Sequence, residues 1–86
     1  MACYRIEVKQ SARKALLSLP NEAIAAISRA IDQLSESPHP KGSKKLVGSE
    51  HTYRIRVGNY RIVYTVFNAI LTIEIIKIGH RKDIYR

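Results

Sequence analysis

The sequence predicts an α+β domain in which a hairpin of two helices packs on one face of a mainly antiparallel, four-stranded sheet. Residues 3–8 alternate between apolar and polar side chains, residues 11–34 repeat their apolar side chains with the period of a helix, and residues from 52 onward are rich in β-branched and aromatic types. These patterns give the element order β-α-α-β-β-β. A chain of 86 residues has enough apolar surface for one core, so residues 1–86 are expected to form a single domain.

The first strand is predicted from strict alternation near the N-terminus. Tyr4, Ile6 and Val8 fall on one side, whereas Arg5 and Glu7 fall on the other. Successive side chains of a strand point to opposite faces, so this period of two places all the apolar side chains on one face. The strand is therefore expected to be half buried.

Two short helices are predicted between this strand and a proline-rich break. Ser11 is a plausible cap for the first helix, which Pro20 ends, and Asn21 can cap the second. Each helix carries one apolar stripe, so the pair is expected to form a hairpin that buries both stripes. The stripes comprise Ala12, Ala15, Leu16 and Leu19 in the first helix, and Ile24, Ile27, Ile31 and Leu34 in the second.

Three further strands are predicted after a polar, basic loop at residues 41–45. They cover Thr52–Val57, Tyr60–Phe67 and Ile70–Ile78. Gly58 and Asn59 form a two-residue hairpin turn, and Asn68 and Ala69 are a plausible second one. Strands joined by such turns are antiparallel, which makes the sheet mainly antiparallel.

Positive charge is concentrated in the second half of the chain. The net charge is +8, of which residues 1–40 contribute +1 and residues 41–86 contribute +7. A domain with this asymmetry suits a polyanion, most often nucleic acid, although an acidic protein would exploit the same field. Lys41, Lys44 and Lys45 in the basic loop are candidates for sequence-independent attraction to RNA.

Several classes of protein are excluded by what the sequence lacks. Cys3 is the single cysteine, so no internal disulfide is possible, and His39, His51 and His80 lack the spacing of a zinc site. We expect no metal ion and no cofactor. The residues after Met1 lack the apolar stretch of a signal peptide, and no segment is long enough to span a membrane. A cytoplasmic protein without a membrane partner is expected.

Three arginines are predicted to share one face of the central hairpin. The two-residue turn places Arg56 opposite Arg61, and it also places Arg54 on the same face. Like charges directly across a strand pair are destabilising, so an anion is expected to meet them. That anion is a bound phosphate or the carboxylate of Glu74, which an unbroken register places opposite Val63 and diagonal to Arg61. The plainer alternative is a solvated sheet face with one salt bridge.

The segment after residue 78 can extend this face. Gly79 lets the backbone change direction, so that His80 or Arg81 can turn back over the arginines. Tyr85 can then supply a ring for base stacking or a hydroxyl for a hydrogen bond. The alternative for Tyr85 is an aromatic anchor that packs the C-terminus on the core.

Two segments resemble the signatures of the RelE/ParE toxin superfamily. The central one is Leu46-Val47-Gly48 followed by the run from Tyr53 to Tyr64, and the C-terminal one runs from Ile78 to Tyr85. The length and the order of helices and strands match as well, so the resemblance covers essentially the whole chain. It implies a RelE-like fold.

The RelE branch implies the toxin of a type II toxin–antitoxin system: a metal-independent endoribonuclease that cuts messenger RNA in the ribosomal A site. A cognate RelB-like antitoxin would neutralise it in a heteromeric complex. Such a site needs attack of a 2′-hydroxyl on the adjacent phosphate, with guanidinium groups stabilising the charge that develops. The family's catalytic positions fall on Arg54, Arg56, Arg61, Arg81 and Tyr85. The three loop lysines are then expected to dock the toxin on ribosomal RNA.

Two questions stay open at the level of sequence. Arg54 and Arg56 cannot act as general bases because a guanidinium does not lose its proton, so proton transfer falls to Tyr85, His80 or groups of the ribosome. The ParE branch, which inhibits DNA gyrase on the same scaffold without a nuclease site, is the main alternative. The joint presence of Arg61, Arg81 and Tyr85 favours the nuclease. A non-catalytic RNA-binding module fits the charge but leaves these residues unexplained.

Overall fold

The computed structural model describes residues 3–80, which form two helices and five strands. The helices are α1 (Gln10–Leu17) and α2 (Asn21–Glu36). The strands are β1 (Arg5–Val8), β2 (Lys44–Lys45), β3 (Thr52–Val57), β4 (Tyr60–Phe67) and β5 (Thr72–His80). The predicted α+β class and the bounds of β3 and β4 are confirmed.

The strands make one sheet in the order β1-β5-β4-β3-β2. β1 runs parallel to β5, and every other neighbouring pair is antiparallel. The predicted count of four strands is wrong by one, because Lys44 and Lys45 pair with β3 as a short edge strand. Two lysines carry no strand signal of their own, since the alternation that marks a strand needs about four residues or more.

The core lies between the two helices and the sheet. Its largest fully buried side chains come from α2, β4 and β5: Ile27, Leu34, Ile62, Tyr64, Ile73 and Ile75. In the predicted stripe of α2, Ile27, Ile31 and Leu34 are buried and Ile24 is half-buried. β4 is the middle strand, so its inner face lies at the centre of the core.

Both helices begin without a side-chain cap. Lys9 occupies the N-cap position of α1, and its N–H still belongs to the sheet, where it bonds to β5; the expected cap at Ser11 is therefore wrong. Pro20 occupies the N-cap position of α2, so Asn21 is its first helical residue and not its cap. Neither helix is long and apolar enough to cross a membrane.

The connection from β4 to β5 differs from the predicted two-residue turn. A short 3-10 turn over Asn68–Ile70 is followed by Leu71 in the left-handed conformation, with φ of 47°. A register shift then falls beside Val63 and Tyr64. Because of this bulge, Ile75 and Ile78 both face the core although they are three positions apart, an odd spacing that in a regular strand would put them on opposite faces.

Candidate functional site

Arg54, Arg56 and Arg61 lie on the face of the sheet that points away from the helices. Arg56 pairs with Arg61, and Arg54 pairs with Val63, as the two-residue turn predicted. The residues that alternate with them, such as Ile55 and Ile62, belong to the core. Successive side chains of a strand point to opposite faces, so the arginines share the outer face.

Arg56 and Arg61 approach each other closely. The N–H of Val66 donates to the carbonyl of His51 at 2.9 Å, which sets the phase of the hydrogen bonds between β3 and β4. Counting from that pair, Arg56 and Arg61 form a non-hydrogen-bonded pair, for which the two Cα atoms are about 4.5 Å apart. The side chains that carry the two guanidinium groups are therefore attached to neighbouring Cα atoms of adjacent strands.

The three arginines differ in exposure. Arg61 is buried, with 6% of its surface exposed; Arg54 is half-buried and Arg56 is exposed. Arg61 lies on the middle strand, where its position is well defined by neighbours on both sides. Arg56 is accessible to a ligand from solvent. The pair thus combines a fixed cation with an accessible one.

Two lysines extend the positive charge across the sheet. Lys44 pairs with Arg54 across β2 and β3, and Lys77 pairs with Val63 across β4 and β5. In the adjacent row Gly79 pairs with Arg61, so the position of β5 opposite Arg61 carries no side chain of its own. We call Lys44, Arg54, Arg56, Arg61 and Lys77 the cationic face.

The connection between β4 and β5 removes the carboxylate that was expected beside Arg61, because four residues, Asn68 to Leu71, separate the paired residues Phe67 and Thr72 where a two-residue turn was predicted. Glu74 pairs with Thr65 and with Glu7 and not with Val63, so the predicted position of Glu74 is wrong. Thr65 lies four residues along β4 from Arg61, roughly 13 Å at about 3.3 Å per residue. Within residues 3–80 no carboxylate lies at ion-pair distance from Lys44, Arg56 or Lys77.

A cavity of about 510 Å³ opens at the outer edge of β3. It is lined by Ala30 and Gln33 of α2, by Pro40, Lys41, Gly42 and Lys44, and by Arg54, Ile55 and Arg56 of β3. The cavity therefore joins two of the loop lysines to two of the arginines. Lys45 does not line it; Lys45 pairs with Tyr53 and lies on the face of β2 opposite to Lys44.

His80 is not brought to the arginines. It pairs with Tyr60, and the two rings meet edge to face with centroids 5.8 Å apart. Tyr60 lies on the helix side of the sheet, so His80 lies on the side opposite to Arg61. Arg81 and Tyr85, the other expected site residues of the C-terminal segment, lie outside the described residues.

Lys77 and Gln33 line this region although neither was singled out from sequence. Lys77 reaches the cationic face through the bulge, and Gln33 reaches the cavity because α2 passes over the edge of β3. In residues 3–80 no three His, Cys, Asp or Glu side chains are grouped so that they could hold a metal ion. The groups that this site offers to a ligand are mainly guanidinium and ammonium donors.

Comparison with known families identifies the scaffold. A sequence model described as the ParE toxin of type II toxin–antitoxin systems, parDE, matches residues 6–85. The chain belongs to this family. The resemblance to the RelE/ParE toxin superfamily is thereby confirmed, and the chain is a toxin of the type II class.

Proteins similar to this chain carry RelE-type names. The chain is 33% identical to the toxin RelG of Mycobacterium tuberculosis, over 96% of this chain and 97% of that protein. It is 31% identical to the putative toxin RelE1 of Methanocaldococcus jannaschii, over 96% of each. In the toxin–antitoxin complex RelBE2 of Mycobacterium tuberculosis, one chain superposes with a TM-score of 0.83 at 29% identity, covering 96% of this chain and 97% of that one.

Proposed function

We propose that this toxin is an endoribonuclease that cuts messenger RNA in the ribosomal A site without the help of a metal ion. The observation that carries the proposal is the Arg56–Arg61 pair on the outer face, with Gly79 beside it. Like charges directly across a strand pair are destabilising, and a bound phosphate would offset that cost. The RelE and RelG names of the relatives support the same activity.

The arginines suit the chemistry of an internal 2′-hydroxyl attack. The 2′-oxygen forms a bond to the adjacent phosphorus while the bond from phosphorus to the 5′-oxygen breaks, which leaves a cyclic phosphate and a 5′-hydroxyl. Negative charge grows on the phosphate oxygens, where Arg61 and Arg56 would stabilise it. Arg54 would hold the strand beside them.

Proton transfer in this reaction needs groups other than these arginines. One group must accept the proton of the 2′-hydroxyl, and another must donate a proton to the leaving 5′-oxygen. The position of His80 beside Tyr60 argues against His80 for either task. We assign the donor role to Tyr85 and a further phosphate contact to Arg81, both on the resemblance of the C-terminal sequence alone.

A RelB-like antitoxin is the partner that the related structures suggest. Solved relatives include a RelE–RelB complex from Pyrococcus horikoshii, with a TM-score of 0.81 at 29% identity. We infer that this chain likewise forms a heteromeric complex with its own antitoxin in the cytoplasm. Binding that covers the cationic face would block access to RNA.

Inhibition of DNA gyrase is the second candidate function. The matching family description, ParE toxin, favours it. Gyrase inhibition gives the cationic face no role, however, since it needs no nuclease site. A non-catalytic RNA-binding module would use the charge but not the close arginine pair.

Translating ribosomes and purified gyrase distinguish these functions. The purified toxin is added to ribosomes that translate a defined message, and the message ends are mapped; in parallel, supercoiling by gyrase is measured. We expect new ends at A-site codons and unchanged supercoiling. Inhibited supercoiling with an intact message would establish the ParE activity instead. Binding to RNA without new ends would establish the non-catalytic module.

A further inference from the structure

The cavity at the edge of β3 adjoins the cationic face. Lys44, Arg54 and Arg56 belong to both, whereas Gln33 and Lys41 line only the cavity. We propose that this cavity holds one nucleotide of single-stranded RNA next to the nucleotides that are cut, with its phosphate at the rim and its base inside. This inference rests on the proposed function, because it takes the same RNA strand to cross both sites.

The backbone of Arg56 offers a hydrogen-bond donor at this edge. The pairing phase of β3 and β4 directs the N–H and C=O of Arg54 and Arg56 away from β4. Those of Arg54 face Lys44 of β2, but β2 ends there. The chain turns away through Gly42, with φ of 95°, so within residues 3–80 no strand pairs with Arg56 on that side.

An unpaired strand edge can also accept a peptide strand, but this one is unsuited to that partner. The open part of β3 comprises only residues 55–57, whereas strands usually have about five or six residues. The edge is also flanked by the cations of Lys41, Lys44, Arg54 and Arg56. A backbone N–H surrounded by positive side chains is an anion site, and a phosphate meets its chemistry best.

The inner wall of the cavity suits a base. Ala30, Pro40 and Ile55 supply apolar surface, and Gln33 supplies an amide that can both donate and accept hydrogen bonds. The volume of about 510 Å³ lies within the range of roughly 300 to 1,000 Å³ that small-ligand sites have. A polar amide on an apolar wall can recognise the edge of a base that leaves its stack.

The three loop lysines are divided by this assignment. From sequence all three were expected to dock the toxin on ribosomal RNA. Lys41 and Lys44 line the cavity and would contact the phosphate of the message, whereas Lys45 lies on the other face of β2. Lys45→Ala is therefore a matched control for Lys41→Ala and Lys44→Ala.

Binding of a short RNA to the full chain tests the proposal without ribosomes. The probe is a trinucleotide with 2′-O-methyl groups, which cannot be cut because its 2′-oxygens carry no proton. Its affinity is measured by NMR titration at several salt concentrations. We expect Lys41→Ala and Lys44→Ala each to weaken binding roughly two- to five-fold, as for an accessible ion pair. Each should reduce the slope of log affinity against log salt by about 0.7.

The other variants separate the phosphate contact from the base contact. Gln33→Ala should weaken binding while it leaves the salt slope unchanged, and Lys45→Ala should change neither. Amide shifts on binding should include Gly42 and Arg56. Equal effects of Lys45→Ala and Lys44→Ala would overturn the proposal, because they would indicate general attraction. The absence of saturable binding would overturn it as well.

A ribosome arm distinguishes the message from ribosomal RNA as the source of the phosphate. Binding of the toxin to ribosomes without message should be the same for wild type, Lys41→Ala and Lys44→Ala. Weaker binding of both variants there would assign the lysines to ribosomal RNA and overturn the proposal. Failure of the proposed function is a different result: wild type would bind the trinucleotide in the cavity but leave messages on translating ribosomes intact.

Discussion

The phenol of Tyr64 donates a hydrogen bond of 2.7 Å to the backbone carbonyl of Pro38. Tyr64 is fully buried on the middle strand, and its ring stacks on Tyr53 with centroids 5.9 Å apart. His39 in turn meets Tyr53 edge to face at 4.6 Å. These contacts attach the start of the loop after α2 to the sheet. The same loop continues into Lys41, which lines the cavity at the edge of β3.

Loss of this phenol should destabilise the protein modestly. Tyr64→Phe removes the hydrogen bond to Pro38 and keeps the ring, so we expect the free energy of unfolding to fall by about 1 kcal/mol. Denaturant unfolding of wild type and variant measures this difference in the free energy of unfolding. The control is Tyr4→Phe, since the exposed phenol of Tyr4 bonds to Asn68 and should contribute less. Equal losses in both variants would show that burial of the Pro38 contact adds nothing.

Alkaline pH should lower the stability of the protein through titration of the Tyr64 hydroxyl. Burial raises the pKa of Tyr64 from 10.0 to about 12. Between these values the unfolded chain releases the proton and the folded protein keeps it, so stability falls as pH rises, by about 1.4 kcal/mol per pH unit. Tyr64→Phe should lack this part of the decline. Parallel stability curves for wild type and Tyr64→Phe from pH 10 to 12 would contradict the assignment.

The Arg56–Arg61 pair should lower the stability of the fold and support message cleavage. Arg56→Glu places a carboxylate opposite Arg61, and an opposite-charge pair contributes roughly 0.2 to 1 kcal/mol. We expect the variant to be more stable than wild type by up to about that amount and to have lost message cleavage. Arg56→Gln, which removes the repulsion without adding attraction, should lie between them in thermal unfolding. A Glu variant less stable than the Gln variant would refute the repulsion.

The central hairpin was predictable because one short turn determines its register. Gly58 adopts a φ of 60°, which suits glycine, and a two-residue turn allows only one pairing of the flanking strands. Arg56 and Arg61 therefore met as expected. The next connection carries no such signal. Leu71 adopts a left-handed conformation that leucine rarely takes, so nothing in its residue type indicates the longer turn.

The bulge in β5 was hidden by composition. Residues 70–78 are apolar at most positions, so their pattern fits several registers equally well. Lys77 was therefore overlooked, and Glu74 was expected beside Arg61 because a two-residue turn was predicted where the structure has four connecting residues. The cavity was beyond sequence reasoning for another reason. Gln33 and Arg56 are far apart in the chain, and only the packing of α2 over the edge of β3 brings them to one cavity.

Substitutions at Glu74 and Lys77 test the register between β4 and β5. Lys77→Gln should raise the ribosome concentration needed for half-maximal cleavage roughly two- to five-fold, because it removes an accessible cation from the cationic face. Glu74→Gln should leave that concentration and the stability nearly unchanged. In the register of a two-residue turn at Asn68 and Ala69, Glu74 would lie diagonal to Arg61 and neutralise it, and Glu74→Gln would alter both. Cleavage assays on a ribosome titration, with thermal unfolding of each variant, separate the two registers.

The catalytic role of the arginines predicts a large loss of rate with little loss of binding. A preorganised donor to the charge of a transition state is worth roughly a hundredfold to a thousandfold in rate. Arg61→Ala should lower single-turnover cleavage on saturated ribosomes by about that factor, and Arg81→Ala should do the same. Arg29→Ala, at an exposed position of α2, is the control. Because Arg61 is buried, its variant is first checked for a wild-type circular dichroism spectrum and cooperative unfolding.

Tyr85→Phe divides the two roles open to that residue. Base stacking survives the substitution, whereas a proton or hydrogen bond from the hydroxyl does not. An unchanged KM with a much lower kcat would therefore assign Tyr85 to proton transfer.

Cleavage by wild type should leave a cyclic phosphate or its hydrolysis product. A chelator that spares the ribosomes should not reduce the rate of cleavage, because the attacking oxygen comes from the RNA itself. If Arg61, Arg81 and Tyr85 were instead surface cations and a packing ring, all three variants would still halt growth when expressed without antitoxin. Impaired supercoiling by gyrase in those cells, with messages intact, would then identify DNA gyrase as the target and exclude a catalytic role of the Arg56–Arg61 pair.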